Sequence, residues 1–250
     1  MVENFKDFLK DSIRKTVDFS LTAQSRGLEP PPIQKPPNPK AIRIDLIKPG
    51  EWKTIPEVSI EKAIAERKSR RHYKEEALSL EELSFLLWAT QGMRDERAAR
   101  YNFRTVPSAG CRHALETYIA VFRVEGLSNA IYRYLPLNHQ LVEYIERENL
   151  ENLISKAAFG QSFAGKSAVT FIWTALPERM EWRYAQASYK VIALDAGHVC
   201  QNLYLACEVI GAGTCAIAAY DQEYTDHVLE LDGEKEFTIY MAPVGKKMHR

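Results

Sequence analysis

Residues 189–219 read YKVIALDAGHVCQNLYLACEVIGAGTCAIAA, and this stretch gives the strongest folding signal of the 250-residue chain. Its apolar residues recur at helical spacing, which predicts a long core helix over 189–210. Gly211 and Gly213 follow, as is typical of a helix end. We expect one stripe of this helix to be buried, formed by Ile192, Val199, Leu203, Ala206 and Ile210.

The other elements follow from local composition on either side of this helix. Runs of β-branched and aromatic residues predict strands at 117–124, 130–135, 140–145, 167–176, 214–220 and 237–244. Apolar periodicity predicts further helices at 59–67, 79–91, 149–159 and 223–229. Because strands and helices alternate irregularly, with a hairpin between two strands, the pattern predicts an α+β fold rather than a doubly wound parallel sheet.

Two of the shorter helices carry more specific signals. Ser79 and Glu82 have the spacing of a capping box, in which each side chain bonds to the backbone of the other residue. In the helix over 59–67, Ile60 and Ile64, together with Ala63, are expected to face the core because they recur at helical spacing.

The N-terminal part of the chain differs in composition from the remainder. Apolar spacing predicts a short amphipathic helix within residues 1–28. Seven of the twelve prolines lie in 30–49, so this segment is extended. It is either a free linker or, as we favour, an arm over a neighbouring surface such as that of a second subunit. AIRIDLI at 41–47 predicts a short edge strand within it. We therefore divide the chain into a helix and arm (1–54) and a compact domain (55–250).

Charge and composition exclude several classes of protein. Lysine plus arginine equals aspartate plus glutamate at 33 each, and this balance disfavours a polycation that wraps nucleic acid. No apolar run approaches the roughly 20 residues needed to span a bilayer, and the N-terminus lacks a signal-peptide core. We therefore expect a cytoplasmic protein without nucleic-acid or membrane partners. The four scattered cysteines are expected to be reduced thiols.

Four short segments could bind a ligand, and each also has a purely structural interpretation. Residues 67–71, RKSRR, place four cations and a hydroxyl at a helix end. They form either a capped helix end or an anion-binding site. Residues 107–110, PSAG, predict a tight turn that approaches a ligand or simply reverses the chain. The small residues of 211–219 admit a flat ligand or form a helix–strand corner. The basic residues of 245–250 form a further cationic contact or a frayed tail.

Asp195 and His198 lie three residues apart and share one face of the long helix. They could act as metal ligands or as a base, but on a packed helix a buried hydrogen-bonding role is favoured. The sequence contains no P-loop, G-x-S-x-G or H-E-x-x-H motif. The G-A-G of 211–213 follows a helix instead of a strand, so a dinucleotide-binding fingerprint is disfavoured.

Taken in order, these motifs resemble the nitroreductase-like FMN flavoprotein superfamily, over about residues 58–247. The nearest likeness is to its SagB-type dehydrogenase branch, which includes thiazole/oxazole oxidases of peptide-modifying systems. The resemblance implies a central, mostly antiparallel sheet flanked by helices, in an intertwined homodimer with two FMN sites built from both subunits. The motifs that carry it are R-x-S-x-R (67–71), PSAG (107–110), L-D-A-G-H-x-x-Q-N-L (194–203), G-x-G-T-C (211–215) and P-V-G-K (243–246).

The same resemblance implies roles for residues of this chain. The positions matching those that hold the FMN phosphate and ribityl chain are Arg67, Ser69 and Arg71, with Lys68 between them. The positions matching a turn that reaches the partner subunit's flavin are Pro107, Ser108 and Ala109. The positions matching backbone that faces the flavin ring near N5 are Ile217, Ala218 and Ala219. The positions matching the cation that completes the phosphate site are Lys246 and Lys247.

The implied chemistry is ping-pong electron transfer from NAD(P)H through FMN to a small-molecule acceptor that the sequence does not identify. A cation near the pyrimidine end of the flavin, Lys68 or Arg71, would stabilise the anionic reduced form. Two alternatives stay open: a SagB-type azoline or peptide dehydrogenase, and a non-catalytic flavin-binding protein. The azoline oxidases carry a catalytic Lys-Tyr pair before the long helix, whereas this chain has Tyr189-Lys190. No catalytic side chain is assigned.

Overall fold

The structure of the chain, a computed structural model, describes residues 5–94 and 102–248. A seven-stranded antiparallel sheet forms its centre. The strands are β1 (Arg43–Asp45), β2 (Leu115–Val121), β3 (Ile131–Leu135), β4 (Gln140–Ile145), β5 (Val169–Ala175), β6 (Ala212–Thr214) and β7 (Phe237–Lys246). Their order across the sheet is β1-β4-β3-β2-β5-β7-β6. The predicted α+β class with an antiparallel sheet is confirmed.

Helices cover both faces of this sheet. They are α1 (Ile60–Glu66), α2 (Leu80–Gln91), α3 (Leu150–Ala157), α4 (Glu178–Tyr184), α5 (Ser188–Val209) and α6 (Gln222–Val228). Residues of α2 and α5 build the core on one face, and residues of α3 and α6 build it on the other. No helix within the described ranges is both long enough and apolar enough to cross a membrane.

Strand β5 contributes side chains to the hydrophobic cores on both faces of the sheet. All seven of its residues are buried. Successive side chains of a strand point to opposite faces, so Phe171 and Trp173 join the core beneath α2 and α5, whereas Ile172 joins the core beneath α3 and α6. The continuous apolar run of this strand therefore reflects burial on both sides.

The long helix and the capping box both agree with the sequence. Helix α5 begins and ends one residue before the predicted bounds, and every residue of the predicted stripe is buried. At the start of α2, the Ser79 hydroxyl accepts from the Glu82 N–H at 3.1 Å, and the Glu82 carboxylate accepts from the Ser79 N–H at 2.9 Å. These reciprocal bonds satisfy backbone donors that a helix start otherwise leaves unpaired.

Leu203→Ala is expected to lower the free energy of unfolding by about 2–5 kcal/mol, because it removes a fully buried side chain from the core-facing stripe of α5. Leu194 lies on the same helix and is 55% exposed, so Leu194→Ala is a matched control that should cost less than about 0.5 kcal/mol. Denaturant titration measures both variants. Equal, small losses would show that the stripe is not packed as the structure has it.

The prediction of an N-terminal amphipathic helix is wrong. Three short 3-10 turns replace it, at Phe5–Phe8, Ser12–Lys15 and Phe19–Leu21, while the first four residues of the prediction lie outside the described ranges. Leu9 is 71% exposed and Ile13 is 37% exposed. Because short helices depend on packing of an apolar face, a segment without a buried face is not held as one helix.

Helix α1 also departs from the prediction. Ala63 is buried, but Ile60 and Ile64 are 64% and 58% exposed. The helix has only seven residues and contacts α5, so its apolar residues cannot all face the core. Ile60 instead lines an open apolar groove with Phe85 and Trp88 of α2.

Two of the predicted strands differ from the structure by more than two residues at one end. The strand predicted at 117–124 is β2, which starts and ends earlier in the chain. The strand predicted at 214–220 is limited to the end of β6, after which Ile217 alone pairs with Met241 of β7. The ladder stops because the N–H of Ala216 donates to the Tyr204 hydroxyl, at 2.8 Å, and not to a neighbouring strand.

The proline-rich arm docks on the sheet of its own chain. Strand β1 pairs with β4, so the predicted edge strand is confirmed and the free linker is excluded. Before it, Arg104 donates to the carbonyl of Ile33 at 2.8 Å, and Arg133 donates to those of Lys35 and Pro36 at 2.8 and 3.1 Å. In this single chain the neighbouring surface is therefore the same subunit.

Glu116 is the centre of a buried ionic network beneath the arm. Its carboxylate accepts from Arg133 at 3.0 Å, from Arg179 at 2.5 Å and from the N–H of Lys35 at 2.9 Å. Both arginines and the glutamate are almost fully buried. Burial acts to raise the pKa of Glu116, yet Arg179 and Arg133 hold it below its ordinary value. The arm is thus attached through charged groups that are inaccessible to solvent.

Candidate functional site

Tyr204, in the second half of α5, connects two of the candidate ligand segments. Its hydroxyl lies 2.9 Å from the Ser69 hydroxyl and accepts from the N–H of Ala216 at 2.8 Å. The Arg67 guanidinium stands over the Tyr204 ring, 5.3 Å from its centroid. A single buried side chain therefore brings the RKSRR segment to the small-residue segment after α5.

Backbone pairing fixes the same segments together. Ser69 forms a parallel bridge with Thr214, the N–H of Arg70 donates to the Thr214 carbonyl at 2.9 Å, and Tyr73 pairs with Lys247. Gly213 permits this approach, since a Cβ there would lie 2.6 Å from the Arg70 side chain. We call the resulting surface the cradle; it is formed by residues 67–71, 213–219 and 245–247.

The cations of the cradle fall into two groups. Glu208, nearly buried on α5, forms ion pairs with both Arg70 and Lys247, and Lys246 pairs with Glu82 of α2. In contrast, no carboxylate of the described residues lies within 4 Å of the three remaining cations, Arg67, Lys68 and Arg71. Uncompensated positive charge is therefore concentrated at these three positions.

A second loop completes the rim of the cradle. The Arg71 guanidinium lies 5.9 Å from the ring centroid of Phe163, and Gln161 donates to the Ala219 carbonyl at 3.0 Å. Ala218 and Ala219 are exposed. Their N–H groups donate to no acceptor within the described part of the chain. The cradle thus offers free cations beside free backbone donors, a combination that suits an anionic ligand with a flat polar ring.

The turn at 107–110 lies away from the cradle in the fold. The Ser108 hydroxyl donates to Asp195 of α5 at 2.5 Å and accepts from the N–H of His113 at 2.9 Å. Asp195 precedes Tyr204 by nine helical residues, a rise of about 13.5 Å. Within one chain, Pro107, Ser108 and Ala109 are therefore not brought to the cradle.

Asp195 and His198 have different environments. Asp195 is buried, and burial raises the pKa of its carboxyl while the Ser108 hydrogen bond acts in the opposite direction. The predicted buried hydrogen-bonding role is confirmed for Asp195. It is wrong for His198, whose ring is half-exposed with Nδ1 4.0 Å from the carboxylate. Within the described residues, no group of three or more potential ligand side chains could hold a metal.

The pair at the start of α5 is held by neighbouring segments. The Tyr189 hydroxyl donates to Glu181 at 2.6 Å, and the Lys190 ammonium donates to the carbonyl of Leu9 in the N-terminal turns at 2.6 Å. Glu208 and Tyr204, in contrast, carry no sequence signal of their own. Only their four-residue spacing, which places them on one face of a helix, could have linked them.

The fold defines the class of the protein first. The structure matches the crystal structure of a nitroreductase-like protein from Ralstonia eutropha with a TM-score of 0.70 and 25% identity, covering 90% of this chain and 97% of that one. The chain therefore has a nitroreductase-like fold.

The sequence then gives the family. The model of the Nitroreductase family matches residues 64–246, so the chain belongs to that family. A nitroreductase-like protein of Methanocaldococcus jannaschii, MJ1384, is 34% identical over 194 residues, which cover 78% of this chain and 94% of that protein. The family resemblance predicted from the ordered motifs is confirmed.

Two peptide-processing proteins are more distant relatives. The trifolitoxin-processing protein TfxB of Rhizobium leguminosarum is 28% identical over 133 residues, covering 52% of this chain and 36% of TfxB. The microcin B17-processing protein McbC of Escherichia coli is 25% identical over 135 residues, covering 52% of this chain and 49% of McbC. The predicted likeness to the SagB-type branch is therefore also found.

Proposed function

We propose that the protein is an FMN-dependent oxidoreductase that passes electrons from NAD(P)H to a small-molecule acceptor by a ping-pong reaction. The observation that carries the proposal is that one cradle holds both the cations Arg67 and Arg71, which no carboxylate of the described residues pairs, and the free N–H groups of Ala218 and Ala219, in a chain of the Nitroreductase family. The four free cysteines support a cytoplasmic location, since reducing compartments keep thiols unpaired.

The cradle fits the two ends of FMN. Arg67, Ser69 and Arg71, with Lys68 beside them, would bind the phosphate and ribityl chain through charge-assisted hydrogen bonds. The N–H groups of Ala218 and Ala219 would bind the edge of the ring, whereas the N–H and the carbonyl of Ile217 are both paired with Met241. FMN, when bound, supplies a ring that accepts and donates electron pairs; the protein orients it and sets its electrostatic environment.

Lys246 and Lys247 are less available to bind the phosphate than Arg67 and Arg71 are. Both ammonium groups are paired with carboxylates, of Glu82 and Glu208 respectively. We propose that they border the phosphate site and contribute to its positive potential, while Arg67 and Arg71 make the direct contacts. Lys68 or Arg71 would also provide a cation for negative charge on the pyrimidine end of the ring.

A homodimer accounts for the position of the 107–110 turn. The turn lies about 13.5 Å along α5 from the cradle of its own chain, yet the family resemblance assigns Pro107, Ser108 and Ala109 to a flavin site. Both statements hold if each site combines the cradle of one subunit with the turn of its partner. We therefore propose an obligate homodimer with two shared sites.

The purified protein should be yellow and should lose its flavin absorbance when NADH or NADPH is added without oxygen. The oxidised flavin absorbs in the visible range, and the reductant supplies the electron pair that removes this absorbance. A yellow protein that neither pyridine nucleotide bleaches would contradict the NAD(P)H linkage. A colourless protein that takes up no added FMN would contradict the flavin proposal altogether.

The relatives TfxB and McbC favour a second candidate, a SagB-type dehydrogenase that oxidises azoline rings in a peptide supplied by a cyclodehydratase. Such a reaction moves two hydrogens from the azoline to FMN. Incubation of the FMN-loaded protein with a thiazoline peptide should then give a product lighter by two hydrogens. Lys190→Ala should stop this conversion if the Tyr189-Lys190 pair acts in it, while leaving FMN content unchanged.

A further inference from the structure

Two guanidinium groups lie against the 107–110 turn. Gly110 has a φ of 58°, and a Cβ on it would lie 2.7 Å from Cδ and 2.9 Å from Nε of Arg183. The Arg183 side chain of α4 thus packs directly on this glycine. Arg112 follows the turn, donates from Nε to the Arg179 carbonyl at 2.9 Å and stacks 4.6 Å from the ring centroid of Trp182.

Within the part of the chain that the structure describes, no acidic side chain compensates the charge of this pair. Arg179, the third arginine nearby, is committed to Glu116, whereas no carboxylate in the described ranges lies within 4 Å of Arg112 or Arg183. The Nη2 atom of Arg112 is inaccessible to solvent and has no hydrogen-bond partner among the described residues. Burial, followed by the proximity of Arg183 and Arg179, lowers the pKa of Arg112.

Such an arrangement is unfavourable until an anion binds. Like charges held close together in a partly buried environment repel each other, and a buried donor without an acceptor adds a desolvation cost. A carboxylate or phosphate would relieve the repulsion between the two guanidinium groups, because its negative charge accepts charge-assisted hydrogen bonds from guanidinium N–H groups. Stacking on Trp182 holds the Arg112 fork in place before a ligand arrives.

We infer that Arg112 and Arg183 form an anion subsite beside the reacting centre, which selects an electron donor or acceptor carrying a carboxylate or phosphate. The inference rests on the proposed function, since the 107–110 turn borders a flavin only in the shared site. The anion is either a carboxylate on the acceptor or the 2′-phosphate that distinguishes NADPH from NADH. Both are recognised by the same chemistry, so the experiment separates the two sources.

Calorimetric titration of the FMN-loaded, full-length protein tests the subsite with two matched ligand pairs. Para-nitrobenzoate is compared with the neutral para-nitrobenzamide, and NADP⁺ is compared with NAD⁺. The anionic member of one pair should bind about ten-fold or more tightly than its counterpart, the size expected for a charge-assisted contact. The pair that shows the preference identifies the source of the anion.

Arg112→Met and Arg183→Met should each abolish most of this preference while leaving binding of the neutral member within about two-fold. Arg43→Met removes the same charge from the exposed edge strand β1 and should keep the preference. Should a methionine variant fail to fold, Arg183→Gln, which retains a polar head without the charge, gives the same comparison.

The inference is overturned if the wild type shows no preference in either pair, or if both arginine variants retain it. Failure of the proposed function looks different. In that case the wild type itself takes up no FMN, or NAD(P)H does not bleach it. A yellow protein that is bleached and yet binds charged and neutral ligands equally well would disprove the anion subsite alone.

Discussion

Replacing Glu116 with glutamine is expected to lower the free energy of unfolding by about 3–5 kcal/mol, one of the largest effects of any single substitution in this chain. The variant leaves Arg133 and Arg179 buried with no carboxylate, and it weakens the contact with the N–H of Lys35. Thermal and denaturant unfolding measure the loss. Glu57→Gln, at an exposed position before α1, is the matched control and should change stability by no more than about 0.5 kcal/mol.

The effect of Glu116→Gln should also depend on pH in a defined direction. The folded pKa of Glu116 is held below its ordinary value, and the unfolded value is about 4.3. The carboxylate therefore contributes its full stabilisation above the unfolded pKa and loses it as the pH falls through the folded pKa. The stability difference between wild type and variant should be constant near neutrality and shrink below about pH 4. A difference that grows with acidification would contradict the network.

Arg67→Ala and Arg71→Ala are each expected to weaken FMN binding about 10–150-fold without unfolding the protein. Each variant removes a charge-assisted contact of about 1.5–3 kcal/mol from the phosphate. Neither residue is paired with a carboxylate in the described chain, so neither substitution leaves a carboxylate without its ion-pair partner. Fluorescence titration with FMN measures the affinity, and Lys62→Ala on α1 serves as an exposed charge control.

Riboflavin distinguishes phosphate binding from general damage to the site. It has the same ring and ribityl chain but no phosphate, so Arg67→Ala and Arg71→Ala should weaken riboflavin binding much less than they weaken FMN binding. If riboflavin and FMN lose affinity equally, the arginines support the cradle structurally instead of binding phosphate. If neither ligand loses affinity, the RKSRR segment is only a capped helix end.

Local periodicity was sufficient to predict the elements that depend on local packing. Helix α5 lies within one residue of its predicted bounds at both ends, and the Ser79–Glu82 capping box is present. These signals need only residues three or four positions apart. The predictions of an N-terminal helix and of core-facing Ile60 and Ile64 in α1 were wrong. Apolar spacing, at 5–17 as in α1, does not reveal whether another part of the protein is available to cover the apolar face.

Contacts between distant positions could not be predicted in the same way. Glu116 forms an ion pair with Arg179, 63 positions later in the sequence, and Glu208 forms one with Lys247, 39 positions later. Nothing in the spacing of these residues indicates that they meet. The resemblance placed Lys246 and Lys247 at the phosphate by position alone, and only the structure reveals the carboxylates that already bind them.

A mixed dimer gives the most direct test of the shared site. One subunit carries Arg67→Ala and Arg71→Ala and so lacks a working cradle, and the other carries Gly110→Val, which disrupts the turn that packs under Arg183. The two are co-expressed with different tags, isolated by sequential affinity steps, and analysed for tightly bound FMN. Each homodimer should bind FMN weakly. In the mixed dimer the intact cradle of one subunit meets the intact turn of its partner, so the account predicts one tightly bound FMN per dimer. If the cradle and turn of the same chain formed the site, both sites would be defective, and a mixed dimer as poor in FMN as its two parents would contradict the account.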